Sequence, residues 1–355
     1  MVACLLPLCG AMMAESAFLL CKDETVFCSG LTQRLASGFC LVFLNDPHQT
    51  CSSGADGTPM SSETEIQPVI GVIGGSGLYD IDGLENKEWR RVETPWGETS
   101  DELLFGTFEG VKCVFLPRHG RGHPIPPSRL NFRANIDALK RSGVTDILSL
   151  SAVGSLKEEL PPGRFVLVDQ FIDRSFAREK SFFETGCVAH VGMADPVSGR
   201  LLDVLEAESR KLDIPVTRGG TYIVMEGPQF STRAESELYR SWGCSVVGMT
   251  NMPEAKLARE AEMTYATVAM VTDYDCWHTE HDSVTVEAVV KVMKGNADNA
   301  RRLVKAVIPV LGQKRPPDLS AERALDFAII TAPEKRDPAL VAKLDAVAGR
   351  VLNKA

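Results

Sequence analysis

Two aspartates one residue apart close an apolar run in VTDYDCWH, residues 271–278, with Asp273 and Asp275 just ahead of Trp277. If the strand expected there continues through them, positions two apart face the same way and the two carboxyls converge on one volume. Like charges that close raise at least one carboxyl pKa, and such a pair suits binding or protonating a nitrogen heterocycle. A pair that merely caps the loop of Trp277 is the structural alternative. Three further stretches end apolar runs with small or basic residues. GGSG, residues 74–77, follows VIGVI and can bring backbone N–H groups and the Ser76 hydroxyl to an anion. A dinucleotide fingerprint would need a long helix straight after the glycines, and Asp80, Gly83 and Pro95 interrupt one; a plain turn stays open. PRHGRGH, residues 117–123, offers a guanidinium and an imidazole, Arg118 and His119, as a phosphate grip or as a solvated turn. In SAVGS, residues 151–155, Ser151 and the backbone of Ala152 can donate to the same anion, or the segment is a strand-to-loop turn.

EGPQFSTRAE, residues 226–235, and VVGMTNMPEAKLA, residues 246–258, carry weaker signals. Phe230 can stack on a flat ligand, while Glu226 or the Met249–Thr250 backbone can reach sugar hydroxyls. Met249 by itself reads better as a gap-filling core residue. Pro253 and Glu254 fit a helix start, with Asn251 near the capping position.

These residues need a scaffold, and the chain alternates strand and helix signals from Pro68 onward. VIGVI is a short buried strand, and LLFGTFEGVKCVFLPRHG reads as a hairpin turning at Glu109–Gly110. LNFRANIDALKRSG is an amphipathic helix ending at Gly143, and TDILSLSAVGS is the next strand. FVLVDQFIDR, TYIVMEGPQF, CSVVGMT and TYATVAMVTDYD are expected as strands, separated by helices around LLDVLEAESRKL, RAESELYRSWG and PEAKLAREAEM. A long closing helix covers TVEAVVKVMKGNADNARRLVKAVIPVLG. This order implies an α/β fold, a mixed or parallel sheet covered by helices on both faces, with ligand sites at the loops leaving the strands.

With 355 residues and 44% hydrophobic composition, the chain can bury a large core. A net charge of −9 without a long Lys/Arg block weakens any case for nucleic acid or an anionic membrane, so small molecules are the expected partners. No apolar run of 18 or more residues marks a membrane span. Six of the ten cysteines lie in the first 51 residues, and the later four show no metal-ligand spacing and read as reduced thiols of a cytoplasmic protein. Residues 1–65 are expected as a poorly ordered N-terminal extension, 66–312 as the single catalytic domain, and 313–355, beyond the Pro-rich QKRPPD, as a tail with a short strand or coil and a helix.

Taken in order, VIGVIGGSGLYD, PRHGRGH with PSRLNFRANI, SAVGSL, DQFIDR with SFF, EGPQFSTRAE, VVGMTNMPEAKLA and VTDYDCW resemble the trimeric purine nucleoside phosphorylase family, over about Val69 to Gly312. The resemblance implies that family's single-domain three-layer fold and a phosphorolysis, methylthioadenosine plus phosphate giving adenine and methylthioribose 1-phosphate, in methionine and purine salvage. It implies no metal or organic cofactor, phosphate being a co-substrate. Ser76, Arg118, His119, Ser151, Ala152 and Thr250 would hold phosphate, with Ser76 and Ser151 standing where relatives often carry threonine. Asp273 would act at purine N7 and Asp275 at the N6 amine, with Phe230, Ser231 and Met249 around the nucleoside. Val286, Val289 and Val290 would line the methylthio group. His190 and Ile330 would approach from a neighbouring subunit of a homotrimer.

Overall fold

The computed structural model describes residues 67–353 apart from Ser76, Asp80, 279–285 and Lys314. The chain divides into two units, residues 1–63 and 64–355, and the description concerns the second. The expected extension, 1–65, lies outside the described residues.

Eleven strands build one sheet: β1 (Val69–Gly74), β2 (Glu85–Arg90), β3 (Leu103–Phe108), β4 (Val111–Pro117), β5 (Asp146–Ser155), β6 (Phe165–Leu167), β7 (Gln170–Asp173), β8 (Val216–Arg218), β9 (Thr221–Val224), β10 (Val246–Gly248) and β11 (Thr264–Asp273). The helices are α1 (Phe132–Arg141), α2 (Gly199–Lys211), α3 (Arg233–Ser241), α4 (Asn251–Glu260), α5 (Val286–Gln313), α6 (Leu319–Glu322), α7 (Pro338–Lys343) and α8 (Asp345–Leu352). The sheet is mixed: β1 runs parallel to β4 and β5, and β5 parallel to β11, while β2–β3, β3–β4, β5–β10 and β6–β11 are antiparallel.

Parallel strands buried on both faces alternate between two cores. Along β5, Ile147 packs with Ile136 and Leu139 of α1 and Leu257 of α4 on one face. Leu148 and Leu150 point the other way, to Leu201 and Leu205 of α2 and Leu303 and Val307 of α5. Each such side chain contributes roughly 1.5–3 kcal/mol by burial, which makes the strand ends rigid mounts. Local chemistry starts the helices at the expected places. Asn131 accepts the Ala134 amide to cap α1, and Thr232 and Glu235 form a reciprocal capping box on α3.

The strand expected over FVLVDQFIDR is two strands. The Asp169 carboxylate accepts the Gly220 amide, and the chain leaves β6, beside β8 and β11, to enter β7, beside β9. TYIVMEGPQF is strand only to Val224, because the Glu226–Pro228 turn follows. Residues 313–355 are not a detached tail: Leu325, Leu344 and Val347 belong to the same core as α1, and Arg315 pairs with buried Asp146 at 2.7 Å. The expected strand in ALDFAIITAP reduces to one bridge, Ala189 to Ile329.

Candidate active site

Strand β5 is the branch point of the sheet. Beta-1 accompanies it only as far as Ser149, whereas β10 joins from Gly154, and β11 runs along its other edge from Asp146 to Gly154. Leu150–Val153 therefore face a gap between β1 and β10, at the kind of divergence where open α/β sheets place ligands. Ala152 is exposed inside a strand whose other residues are buried except for half-buried Gly154.

Arg118 leaves β4 with its amide on the Gly74 carbonyl at 2.9 Å, which holds the ends of β4 and β1 together. It is no solvated turn residue: only 2% of it is exposed. Its Nε and Nη2 donate to the two carboxylate oxygens of Glu254 at 2.8 and 3.1 Å, Nη2 also to Ser149 Oγ at 2.7 Å, and Nη1 to the Leu150 carbonyl at 2.9 Å. Four of five N–H groups are thus committed, and one Nη1 hydrogen is left. Glu254 Oε1 further accepts from Ser149 Oγ at 2.7 Å and Tyr265 Oη at 2.8 Å. Burial, aided by the Glu254 charge, holds the Tyr265 phenol well above its usual pKa, so it remains a donor.

His119 is buried, and its Nδ1 lies 2.8 Å from the Ile125 carbonyl. A carbonyl only accepts, so Nδ1 carries the proton and a neutral ring keeps its lone pair on Nε2. Burial lowers the imidazole pKa to about 4 against the Ile125 bond, with the Arg118 charge pushing the same way. The ring stacks on His123 with centroids 4.1 Å apart.

Across the gap, three buried hydroxyls meet. Ser151 Oγ lies 3.0 Å from Thr250 Oγ1 and 3.1 Å from Tyr222 Oη. Thr250 precedes α4, and the next residue, Asn251, is no cap: its amide donates inward to Ser149 Oγ, Tyr265 Oη and Thr267 Oγ1 at 3.1, 2.5 and 2.8 Å. Arg118, Ser149 and Asn251 form one hydrogen-bonded group, and Ser151, Thr250 and Tyr222 a second, which adjoins the first where Thr250 precedes Asn251 in the chain. Ser76 lies outside the described residues.

The two aspartates are brought together, but not by strand alternation. Beta-11 is irregular between Val271 and Asp273 and ends there, and Asp275 begins a 3-10 turn, Asp275–Trp277, with φ of 52°. The Asp275 amide donates to Asp273 Oδ1 at 2.8 Å, and Thr272 Oγ1 donates to Asp273 Oδ2 at 2.7 Å. Asp275 Oδ2 is buried without a hydrogen-bond partner. Burial raises both carboxyl pKa values, and for Asp275 the neighbouring Asp273 charge adds to it, against the Ser236 hydroxyl. The turn is anchored by Trp277 Nε1 on the Ser155 carbonyl at 2.8 Å, with Arg240 stacked 3.7 Å from the indole centroid.

Gly154 pairs with Asp273 in register, and Ala152 stands two residues earlier on the same strand. At about 3.3 Å per residue, the carboxylate pair lies roughly 7 Å along β5 from the Ala152 amide, about the reach of a pentose ring. That arrangement can hold an anion at one end of a sugar and protonate a leaving base at the other.

Around the pair, Ser231 is buried and accepts Cys276 Sγ on its carbonyl at 3.3 Å, while Phe230 is half exposed. Met249 presses on Gly227, whose φ is 72° and where an added Cβ would come within 2.5 Å of the Met249 sulfur. Glu226 Oε2 accepts the Phe176 and Ala177 amides at 2.6 and 3.2 Å, while its Oε1 is buried without a hydrogen-bond partner. His190 is exposed, with its amide on the Ala328 carbonyl at 2.9 Å, and no described contact joins it to the residues above. Val286 and Val289 open α5, but their side chains lie outside the described part; Val290 and Ile330 are exposed.

Sequence reasoning missed Glu254, Tyr222 and Arg178. Glu254 reads as a routine first-turn acid, and only its contact with Arg118, 136 positions away, reveals it. Arg178 donates from Nη1 to the Met249 and Met252 carbonyls, both at 2.6 Å, and from Nη2 to the Glu226 carbonyl at 2.7 Å, clamping the two loops that flank the site. Its one sequence signal is a lone arginine after DQFIDRSFA.

A family model described as "Phosphorylase superfamily" matches residues 69–309. The chain is 65% identical to the S-methyl-5′-thioadenosine phosphorylase of Rhodospirillum rubrum over 294 residues, 82% of this chain and 99% of that one. It is 61% identical to that of Cereibacter sphaeroides, over 81% of this chain and 99% of the other. Among solved structures, a methylthioadenosine phosphorylase from an antarctic soil metagenomic library is similar with a TM-score of 0.76 and 44% identity, covering 80% of this chain and 99% of that one. A double mutant of the adenosine/methylthioadenosine phosphorylase from Schistosoma mansoni, in complex with adenine, is similar with a TM-score of 0.70 and 35% identity, covering 74% and 100%.

Proposed function

The chain belongs to the phosphorylase superfamily, and from that premise we propose that it is a pentosyltransferase cleaving S-methyl-5′-thioadenosine with phosphate, yielding adenine and 5-methylthioribose 1-phosphate. A phosphate oxygen forms the new bond to C1′ as the bond from C1′ to purine N9 breaks. The bonding electrons leave with adenine, which takes a proton at N7 from the aspartate pair.

In this reading phosphate lies in the gap beside Leu150–Val153. It accepts from the free Nη1 hydrogen of Arg118, the Ala152 amide, the hydroxyls of Ser151 and Thr250, and Ser76. His119, neutral above about pH 4, offers Nε2 to the proton that a phosphate anion still carries. Fixed donors of this kind supply both proximity and charge stabilisation as the sugar turns cationic. Asp273 and Asp275 share one proton as a coupled pair, Asp273 serving N7 and Asp275 accepting from N6, so a 6-aminopurine is preferred over a 6-oxopurine. Ser231, Phe230 and Met249 enclose the nucleoside. Val286 and Val289 line the methylthio group, and His190 reaches the site of a neighbouring subunit in a homotrimer. Phosphate is the only co-substrate, no cofactor takes part, and the enzyme works in the cytoplasm.

The observation that carries this is the single strand β5, which meets the Arg118 network on one edge and on the other pairs with β11, the strand that ends in the aspartate pair. The test is phosphate-dependent adenine release by wild type, Asp273→Asn and Asp275→Asn. Losing a positioned general acid lowers kcat about 10²–10⁴-fold, expected for Asp273→Asn. Asp275→Asn should instead lose discrimination between methylthioadenosine and methylthioinosine. Wild-type rates and selectivity in both variants would reject the assignment. A broader reading, in which adenosine is also a substrate, is favoured by the double name of the Schistosoma mansoni neighbour. A pocket built for an apolar methylthio group would disfavour the adenosine hydroxyl by about 1–3 kcal/mol, which competition kinetics would resolve.

A further inference from the structure

We propose that Glu254 is a positioning residue for phosphate: its carboxylate locks the Arg118 guanidinium in one plane so that a single Nη1 hydrogen is aimed at the anion. The inference rests on the phosphorolytic reading and assigns a role to a residue that never touches the substrate. Glu254 is buried together with Arg118, each side chain 3% exposed, and the contact is side-on, with both carboxylate oxygens engaged. A guanidinium held on its Nε–Nη2 edge by a planar carboxylate cannot rotate about its long axis without breaking two bonds at once. The Leu150 carbonyl then takes one of the two Nη1 hydrogens, at 2.9 Å, and the remaining one is fixed in direction.

Besides Arg118, two hydroxyls hold Glu254. Ser149 Oγ and Tyr265 Oη donate to Oε1, and the Asn251 amide donates to both of those hydroxyl oxygens, the same residue that follows the anion-site Thr250. The carboxylate also cancels the buried arginine charge. The anion is therefore recognised by directed hydrogen bonds more than by a free cation, and direction is what loss of Glu254 would destroy.

The experiment measures KM for phosphate, KM for methylthioadenosine and kcat separately in wild type, Glu254→Gln, Glu254→Asp and Tyr265→Phe. Glu254→Gln keeps the volume but turns an amide N–H toward a guanidinium N–H. Its phosphate KM should rise about 30-fold or more, the scale of truncating one partner of a buried charge pair, while the nucleoside KM stays within threefold. Glu254→Asp should recover part of that loss, and Tyr265→Phe, which deletes one hydrogen bond to the charged carboxylate at Oε1, should raise phosphate KM about tenfold. A residue that only supports the fold would lower kcat through a smaller active fraction and leave both KM values in place. That outcome, or an equal rise in both KM values, overturns the proposal. If Glu254→Gln fails to fold, Glu254→Asp and Tyr265→Phe decide by the same criterion. Wild type that releases adenine without phosphate refutes the phosphorolytic reading and this role with it; a phosphate-dependent wild type whose variants keep their phosphate KM refutes this role alone.

Discussion

Glu260, on the last turn of α4, gives a prediction whose size follows from its surroundings. Its carboxyl accepts Ser181 Oγ and the Phe182 amide, both at 2.7 Å, and is almost fully buried. Burial raises its pKa to about 7 from an ordinary 4.5, against the Phe182 and Ser181 hydrogen bonds and the charges of Arg133 and Lys256. The folded state therefore holds this proton more tightly than the unfolded chain. Glu260 contributes stability that is complete below about pH 4.5 and lost as pH rises through about 7. A shift of roughly 2.5 units at 1.36 kcal/mol each makes that loss about 3 kcal/mol. Glu260→Gln reproduces the protonated acid: its amide group donates to Ser181 Oγ while its carbonyl accepts the Phe182 amide. Urea unfolding at pH 5, 6, 7 and 8, at one protein concentration so that any subunit association is held constant, should show wild type losing stability across the range. The variant should be flatter by about 2.5 kcal/mol between pH 5 and pH 8, since part of the loss falls below pH 5. Parallel pH profiles for the two proteins would refute the argument, because they would mean that Glu260 is ionised in the fold at little cost.

Gly154→Ala places a Cβ 3.1 Å from Asp273 Oδ1 and 3.3 Å from Asp275 Cβ, and should lower kcat about tenfold by displacing the pair. Steady-state kinetics should show an unchanged phosphate KM. Arg178→Lys keeps the charge but cannot span the Met249, Met252 and Glu226 carbonyls together; a loss of about 2 kcal/mol in unfolding free energy and a higher nucleoside KM are expected. Trp277→Phe removes the indole bond to Ser155 and should cost about 1 kcal/mol in denaturation while lowering kcat more than either KM.

Much of this was legible in the sequence, for identifiable reasons. The strand and helix alternation was visible because buried parallel strands are written as continuous apolar runs, and the hairpin at Glu109–Gly110 because both residues adopt positive φ, 47° and 81°. The motif ends were visible because small and basic residues cut those runs off. Asp273 and Asp275 were paired for a reason that does not hold, since β11 stops at Asp273 and a hydrogen-bonded turn brings Asp275 back. The break between β6 and β7 was hidden because Val168 is as apolar as its neighbours, and only the partner at Gly220 makes Asp169 a corner. Glu254 was hidden for the same reason: a side chain's partner 136 residues away leaves no trace in local spacing.

The fold also explains why the candidate site is where it is. A strand at the centre of a sheet normally gives both edges to its neighbours, and its backbone offers nothing to a ligand. Beta-5 exchanges β1 for β10 on one edge, and between Ser149 and Gly154 that edge has neither. The Leu150 carbonyl points into the opening, where Arg118 takes it, and by strand alternation Ala152, two residues on, turns its amide to the same side. One acceptor without a strand partner thus fixes a cation, and one such donor is left facing the opening, on a segment that β11 keeps straight along the opposite edge. The same β11, two residues later, delivers the aspartates. Closing the gap with a continuous β1–β5 pairing would remove the anion donors and leave the carboxylate pair intact. The chemistry of the two halves depends on the sheet failing to pair at four residues.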